Sequence, residues 1–175
     1  MKGYTKKQIS ELTGLSPRMV TFYTEEGLVI PEEDEGIGRG HVRRYGQRNL
    51  FSFALIKELN DYGIRIDKIR HIFERVFKTP KFKSERNIKD FERLLRGEEG
   101  QVIERRTYLW IHKSGNPKDN EIFSAPIILP YWKSVNKDGE SIIRGIDEDL
   151  IKDCTSLMVI DLWGLYQKVC LRKKG

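Results

Sequence analysis

The chain has 175 residues, 38% of them hydrophobic, and a formal charge of +6 with a pI near 9.3. That is enough for one ordinary domain or two small ones around a core, so a folded, soluble protein is expected. No run approaches the roughly 18 apolar residues of a membrane span, and Met1-Lys2-Gly3-Tyr4 lacks the apolar stretch of a secretory signal, which excludes a membrane partner and leaves a cytoplasmic location by default.

Thr5-Lys6-Lys7-Gln8 has the form of a capping box, and Ile9 and Leu12 follow on one face before Gly14, which predicts a helix over 6–13. After the turn Gly14-Leu15-Ser16, a second short helix over 17–26 is set by Ser16 as cap, Pro17 in the first turn and Gly27 beyond its end. Val20 and Tyr23 share the face that packs on Ile9 and Leu12, while Arg18, Thr21, Phe22 and Glu25 point away. Two short helices joined by a small turn make a helix-turn-helix.

Next come Pro31, the acidic run Glu32-Glu33-Asp34-Glu35, the glycines 36, 38 and 40, and His41-Val42-Arg43-Arg44-Tyr45. This order reads as a β-hairpin, or wing, with a basic return strand carrying Arg39, Arg43 and Arg44 and with Arg48 just beyond. The acidic run reads as a solvated loop. A third helix over 47–62 carries Leu50, Phe53, Ala54 and Leu59 on its buried stripe and ends at Gly63. A fourth over 66–77 carries Ile66, Ile69, Phe73 and Val76 until Thr79-Pro80 halts it.

Ser84 caps a fifth helix near 85–96 with an Ile88, Phe91, Leu94, Leu95 seam, followed by a Gly97-Glu98-Glu99-Gly100 linker. Past it the period changes to strands at 105–112, 122–129, 141–144 and 157–160. A brief helix starts at Asp147, and a closing helix spans 161–172 despite Gly164. The expected fold class is therefore a mainly α N-terminal winged helix-turn-helix domain plus a small α+β C-terminal domain. The boundaries are 1–78 for the first, 79–100 for a connecting or dimerisation helix and linker, and 101–175 for the second.

The order helix, turn, helix, basic wing, paired helices resembles the DNA-binding domain of the MerR family of transcriptional regulators. "YTKKQISELTGLSPRMVTFYTEEGL" resembles the family's opening and "VRRYGQRNLFSFALIKELNDYGIRIDKIRHIF" its wing and paired helices, over roughly residues 3–77. The resemblance implies a transcription regulator that binds a palindromic promoter site in double-stranded DNA as a homodimer, bends and untwists it, and meets RNA polymerase there. It places Ser16, Arg18 and Thr21 at or near base edges and backbone, Phe22 against the sugar-phosphate, and Tyr23 in the hinge to the core. Arg43 and Tyr45 take phosphate, with Arg39 and Arg44 beside them, and Lys6 and Lys7 touch the flanking backbone. The chain departs from the family in three places. Thr21 and Val42 stand where arginine and an aromatic are usual, the approach to the wing is about three residues longer, and the dimer helix is cut to about three turns. The alternative is a DNA-architectural or accessory protein, a phage- or partition-type relative without an effector.

The remaining features point to no chemistry. The excess of basic over acidic residues is two in each of 1–75, 76–100 and 101–175, so any basic footprint is local. Cys154 and Cys170 fit neither a disulfide framework nor a C-x-x-C motif and read as inert thiols. His41, His71 and His112 lack partners at ligand spacing, so no metal and no cofactor is expected. No nucleophile stands beside a base and acid, and no phosphate-binding glycine loop occurs, so an enzyme is not expected. Tyr108, Trp110, Tyr131, Trp132, Trp163 and Tyr166 form either the core of the C-terminal part or an effector pocket for an apolar or cationic ligand, with Tyr108, Trp110, Trp132 and Trp163 as its candidate lining.

Overall fold

The computed structural model describes residues 3–34, 43–78, 88–96, 106–114, 122–129, 132–135, 141–144 and 154–171. The wing tip with Arg39 and Val42, the Thr79-Pro80 break, the Gly97 to Gly100 linker and the Asp147 helix start lie outside these residues. Contacts gather the chain into two compact units, Met1–Arg70 together with Gly164–Gly175, and His71–Trp163.

The first unit opens with α1 (Lys6–Thr13). Thr5 Oγ1 accepts from the Gln8 backbone N–H at 3.3 Å, and Gln8 Oε1 accepts from Thr5 N–H at 2.8 Å, so both halves of the capping box are made. Gly14 ends the helix in the left-handed region at φ 76°, and the turn is pinned by Ser10 Oγ donating to the Leu15 carbonyl at 2.6 Å. In α2 (Pro17–Glu25), Ser16 Oγ accepts from Met19 N–H at 3.3 Å and Gly27 follows at φ 69°. Val20 and Tyr23 are buried as expected.

A two-stranded antiparallel ladder follows, β1 (Glu33–Asp34) against β2 (Arg43–Arg44), with Glu33 opposite Arg44 and Asp34 opposite Arg43. Tyr45 then pairs by its backbone with Tyr4, which ties the ladder to the N-terminal segment. Glu32 and Glu33 of the acidic run are exposed, as expected of a solvated segment, while Glu33 and Asp34 stand opposite arginines in the ladder register and the Glu32 carboxylate folds over Gly46, where an added Cβ would come within 1.7 Å of Oε1. Gly46 is the N-cap of α3 (Gln47–Asp61), and a carboxylate there is favoured by the helix dipole. Asn49 completes the entry, its Oδ1 accepting from Gly46 N–H at 3.0 Å and its Nδ2 donating to the Ile30 carbonyl at 2.9 Å.

The helix α3 is buried on more sides than its predicted stripe: Phe51, Leu55 and Ile56 join Leu50, Phe53, Ala54 and Leu59. Part of the cover over Phe51 comes from α6 (Leu162–Cys170), whose residues from Gly164 onward belong to this first unit. Tyr166 is fully buried with its ring centroid 5.9 Å from that of Phe51, and Cys170 Sγ donates to the Gln47 carbonyl at 3.8 Å. The helix tolerates Gly164, a cost of about 1 kcal/mol, because Leu165, Tyr166 and Val169 bury beside it. Between Gly63 (φ 76°) and the end of the pair, α4 (Ile66–Lys78) buries Ile69, Ile72, Phe73 and Val76.

In the second unit, α5 (Ile88–Arg96) packs Phe91, Leu94 and Leu95 into the core and lies against β3 (Arg106–Ser114). That strand is the centre of an antiparallel sheet ordered β4-β3-β7, with β4 (Ile122–Leu129) and β7 (Cys154–Asp161) on either side. Pro126 sits in β4, where an edge position spares the ladder a missing donor. A second antiparallel pair joins β5 (Trp132–Val135) to β6 (Ser141–Arg144); β5 is a strand that periodicity did not reveal.

Two predictions follow from the packing of the first unit. Tyr166→Ala removes the ring that covers Phe51, and a loss of about 3–5 kcal/mol of unfolding free energy is expected by urea denaturation; a loss below about 1 kcal/mol would show that α6 is not part of this core. Burial raises the Tyr23 phenol above its ordinary value, and burial, then the neighbouring Cys170 sulfur, raises that of Tyr4. Both phenols are neutral in both states below pH about 10. Above it the unfolded chain ionises first, so stability falls as pH rises through the folded values. Tyr4→Phe and Tyr23→Phe should flatten that alkaline decline in pH-dependent denaturation.

Candidate nucleic-acid interface

The outer side of α2 is built by what its inner side buries. With Val20 and Tyr23 fixed in the core, residues one turn apart on the other side must face solvent. Arg18 is exposed and, among the described residues, engages no partner. Phe22, four positions on, is 37% exposed, with its ring 5.3 Å from that of Tyr23. A cation in the first turn opposes the helix dipole, so Arg18 is better stabilised reaching outward to an anion than lying on its own helix.

Thr21 lies between them, half-buried, and its hydroxyl donates back to the Pro17 carbonyl at 3.1 Å. In that rotamer the oxygen accepts hydrogen bonds and has no proton left for a phosphate. Ser16 is likewise occupied as the helix cap, although its exposed position leaves the backbone of the first turn open. Lys6 is exposed at the start of α1, while Lys7 stands 3.9 Å from Glu11 in a solvated pair of little energetic weight.

Arg43 and Arg44 are half-buried on β2. Tyr45 is placed differently from the expectation: it is 1% exposed, its ring meets Phe53 edge-on at 5.3 Å, and its hydroxyl shares a hydrogen bond of 3.0 Å with Thr24 Oγ1. A phenol so enclosed has no surface for phosphate in this conformation. Its place is between the ladder and α2, where the Thr24 bond joins the two basic elements. Sequence reasoning missed Thr24, which the pattern showed only as one more polar residue near the end of a helix. Arg39 lies outside the described residues.

Tyr166 belongs to the first unit, against Phe51. Trp163 is buried in the second, with the Arg96 guanidinium 4.9 Å from its ring centroid. Tyr108 and Trp110 both stand on β3, and Trp132 on the β5–β6 pair. A cavity of about 150 Å³ opens elsewhere, among Leu12, Ala54, Lys57, Asp61, Lys168 and Val169 of the first unit. It is smaller than the several hundred Å³ of ordinary ligand pockets. Among the described residues no group of three or more His, Cys, Asp or Glu is arranged to hold a metal ion, and no helix is long and apolar enough to cross a membrane.

Comparison with known proteins agrees with the geometry of the first unit. Residues 4–76 match the family model described as MerR HTH family regulatory protein, which covers α1, α2, the ladder, α3 and most of α4. Among curated proteins the chain finds no match. The family is one of DNA-binding transcription regulators and not of enzymes. The capped helix pair, its arginine-bearing outer side and the family match agree that residues 4–76 are similar to the regulatory proteins of the MerR helix-turn-helix family.

Proposed function

We propose that α2 is the recognition helix, that the β1–β2 ladder is the base of a wing, and that two copies of the chain together grip a palindromic promoter site and bend it. The observation that carries this reading is the pairing of Arg18 with Phe22 on the exposed side of a helix whose other side is locked. A cation and an exposed aromatic ring on one rigid face suit a sugar-phosphate backbone lying beside base edges. Thr21, with its oxygen free to accept, suits a base amino group. Lys6, Arg43 and Arg44 supply the flanking phosphate contacts, and Arg39 adds to them from the wing.

Burial of Phe91 and Leu95 of α5 favours a pairing surface elsewhere in the chain. Bending a duplex by tens of degrees costs several kcal/mol and needs phosphate contacts on both half-sites, which is why a second protomer belongs to the reading. RNA polymerase at the same promoter is the further partner.

A second reading is favoured by one observation. Arg96 covers a face of Trp163 that a cationic effector would need, which supports an accessory DNA-binding role without a small-molecule signal.

Footprinting across genomic DNA with the full chain, with sedimentation to give the oligomeric state, should return half-sites about one helical turn apart, bound by a dimer. A monomer on single half-sites would overturn the paired reading. Arg18→Ala and Arg43→Ala should each weaken binding to the recovered site, with Arg43→Ala lowering the salt slope by about one unit. Unchanged affinity in both would remove α2 and the ladder from the interface.

A further inference from the structure

The two ends of α2 are held by different means. Its N-terminal end is capped by Ser16 alone, whereas its C-terminal end is closed locally, by Gly27 and Leu28 N–H donating to the Thr24 and Tyr23 carbonyls at 3.0 Å, and is held besides from 44 residues away. Arg70 of α4 donates from Nη1 to the Glu26 carbonyl at 2.9 Å and from Nη2 to Glu26 Oε2 at 2.8 Å. Glu26 is the C-cap of α2, where the last carbonyls have no partner within the helix and the dipole presents its negative end. One guanidinium therefore satisfies an orphan carbonyl, pairs a carboxylate and complements the dipole together. Its planar fork fixes direction as well as distance, which an ammonium does not.

As a plain ion pair this contact would add little, because both side chains are 43% exposed. Its consequence is geometric. A nine-residue helix is about 13 Å long, so movement at Glu26 is carried to Arg18 and Phe22 as a change of angle. We propose that Arg70 is a positioning residue for DNA recognition: by clamping Glu26 it sets the angle at which Arg18, Thr21 and Phe22 meet the duplex, without touching phosphate itself. This rests on α2 being the recognition helix.

The test compares full-length wild-type protein with Arg70→Ala, Arg70→Lys, Glu26→Gln and Arg18→Ala. Two duplexes serve as probes: the one most enriched by wild-type protein from a random-sequence library, and a scrambled duplex of the same length and composition. Arg70→Ala should lose about tenfold on the enriched duplex, or about 1.4 kcal/mol, and less than about twofold on the scrambled one, with the slope of log K against log salt unchanged because no phosphate contact is lost. Arg70→Lys should retain the charge but recover only part of the preference. Glu26→Gln, which keeps the carbonyl bond, should lose less than Arg70→Ala.

Equal loss on both duplexes with a slope smaller by about one would make Arg70 a phosphate ligand and overturn the clamp. Wild-type affinity in Arg70→Ala, with Arg18→Ala weakened, would also overturn it while leaving the recognition helix in place. If Arg70→Ala unfolds at the assay temperature, Arg70→Lys and Glu26→Gln decide, and wild-type preference in both would sink the proposal. Failure of wild-type protein to enrich any duplex would remove the DNA-binding reading and the clamp with it.

Discussion

Burial of Val20 and Tyr23 is the constraint on which the molecule's function depends. A helix of nine residues does not persist in water, because its nucleation cost is spread over too few hydrogen bonds. Here the caps at Ser16 and Gly27 reduce that cost, and the two buried side chains fix which side of the helix faces the core. The exposed side is then settled without any further choice. Arg18 and Phe22 face outward because Val20 and Tyr23 face inward, which leaves a basic and aromatic face exposed.

Polar contacts complete what burial begins. Thr24 reaches the Tyr45 hydroxyl, Asn49 bridges the start of α3 to Ile30, and Arg70 holds Glu26, so that α2, the ladder, α3 and α4 are joined by side-chain hydrogen bonds as well as by packing. Each bond contributes on the order of 1 kcal/mol, small beside the apolar core, but each is directional. Direction is what a recognition surface requires, since base contacts fail when a side chain is misplaced by a fraction of a bond length. The acids of the β1 segment obey the same economy: Glu32 lies over the α3 N-terminus, and Glu33 and Asp34 stand opposite arginines in the ladder.

The last helix changes how the N-terminal unit must be understood. Its family match ends at residue 76, yet the core of that unit includes Leu165, Tyr166 and Val169. A head of this size buries a modest fraction of its surface, and a further helix laid over α3 adds apolar contact where it is scarce. The stripe of α5 is likewise buried, and that helix lies against β3.

The elements of residues 5–78 were legible from the chain alone, because caps, left-handed glycines and apolar spacing are local signals: α1, α2, α3 and α4 fall within a residue or so of their expected spans, and Gly14, Gly27 and Gly63 take the positive φ that their places demanded. The exposed positions of Lys6, Arg18 and Phe22 were legible for the same reason, since helical period assigns sides. What could not be read was which surfaces meet across long separations. Tyr45, expected at phosphate, is buried in the core, Tyr166, expected in the core or a pocket of the C-terminal part, covers Phe51, and Arg70, which no local signal singles out, holds Glu26. A trace of the second layer was present in the run from Leu50 to Leu59, which is apolar on nearly every side and so required cover from more than one direction. Its partner, more than a hundred residues away, was decided by tertiary packing, because the hydrophobic effect rewards burial of area and carries no record of which segment supplies it.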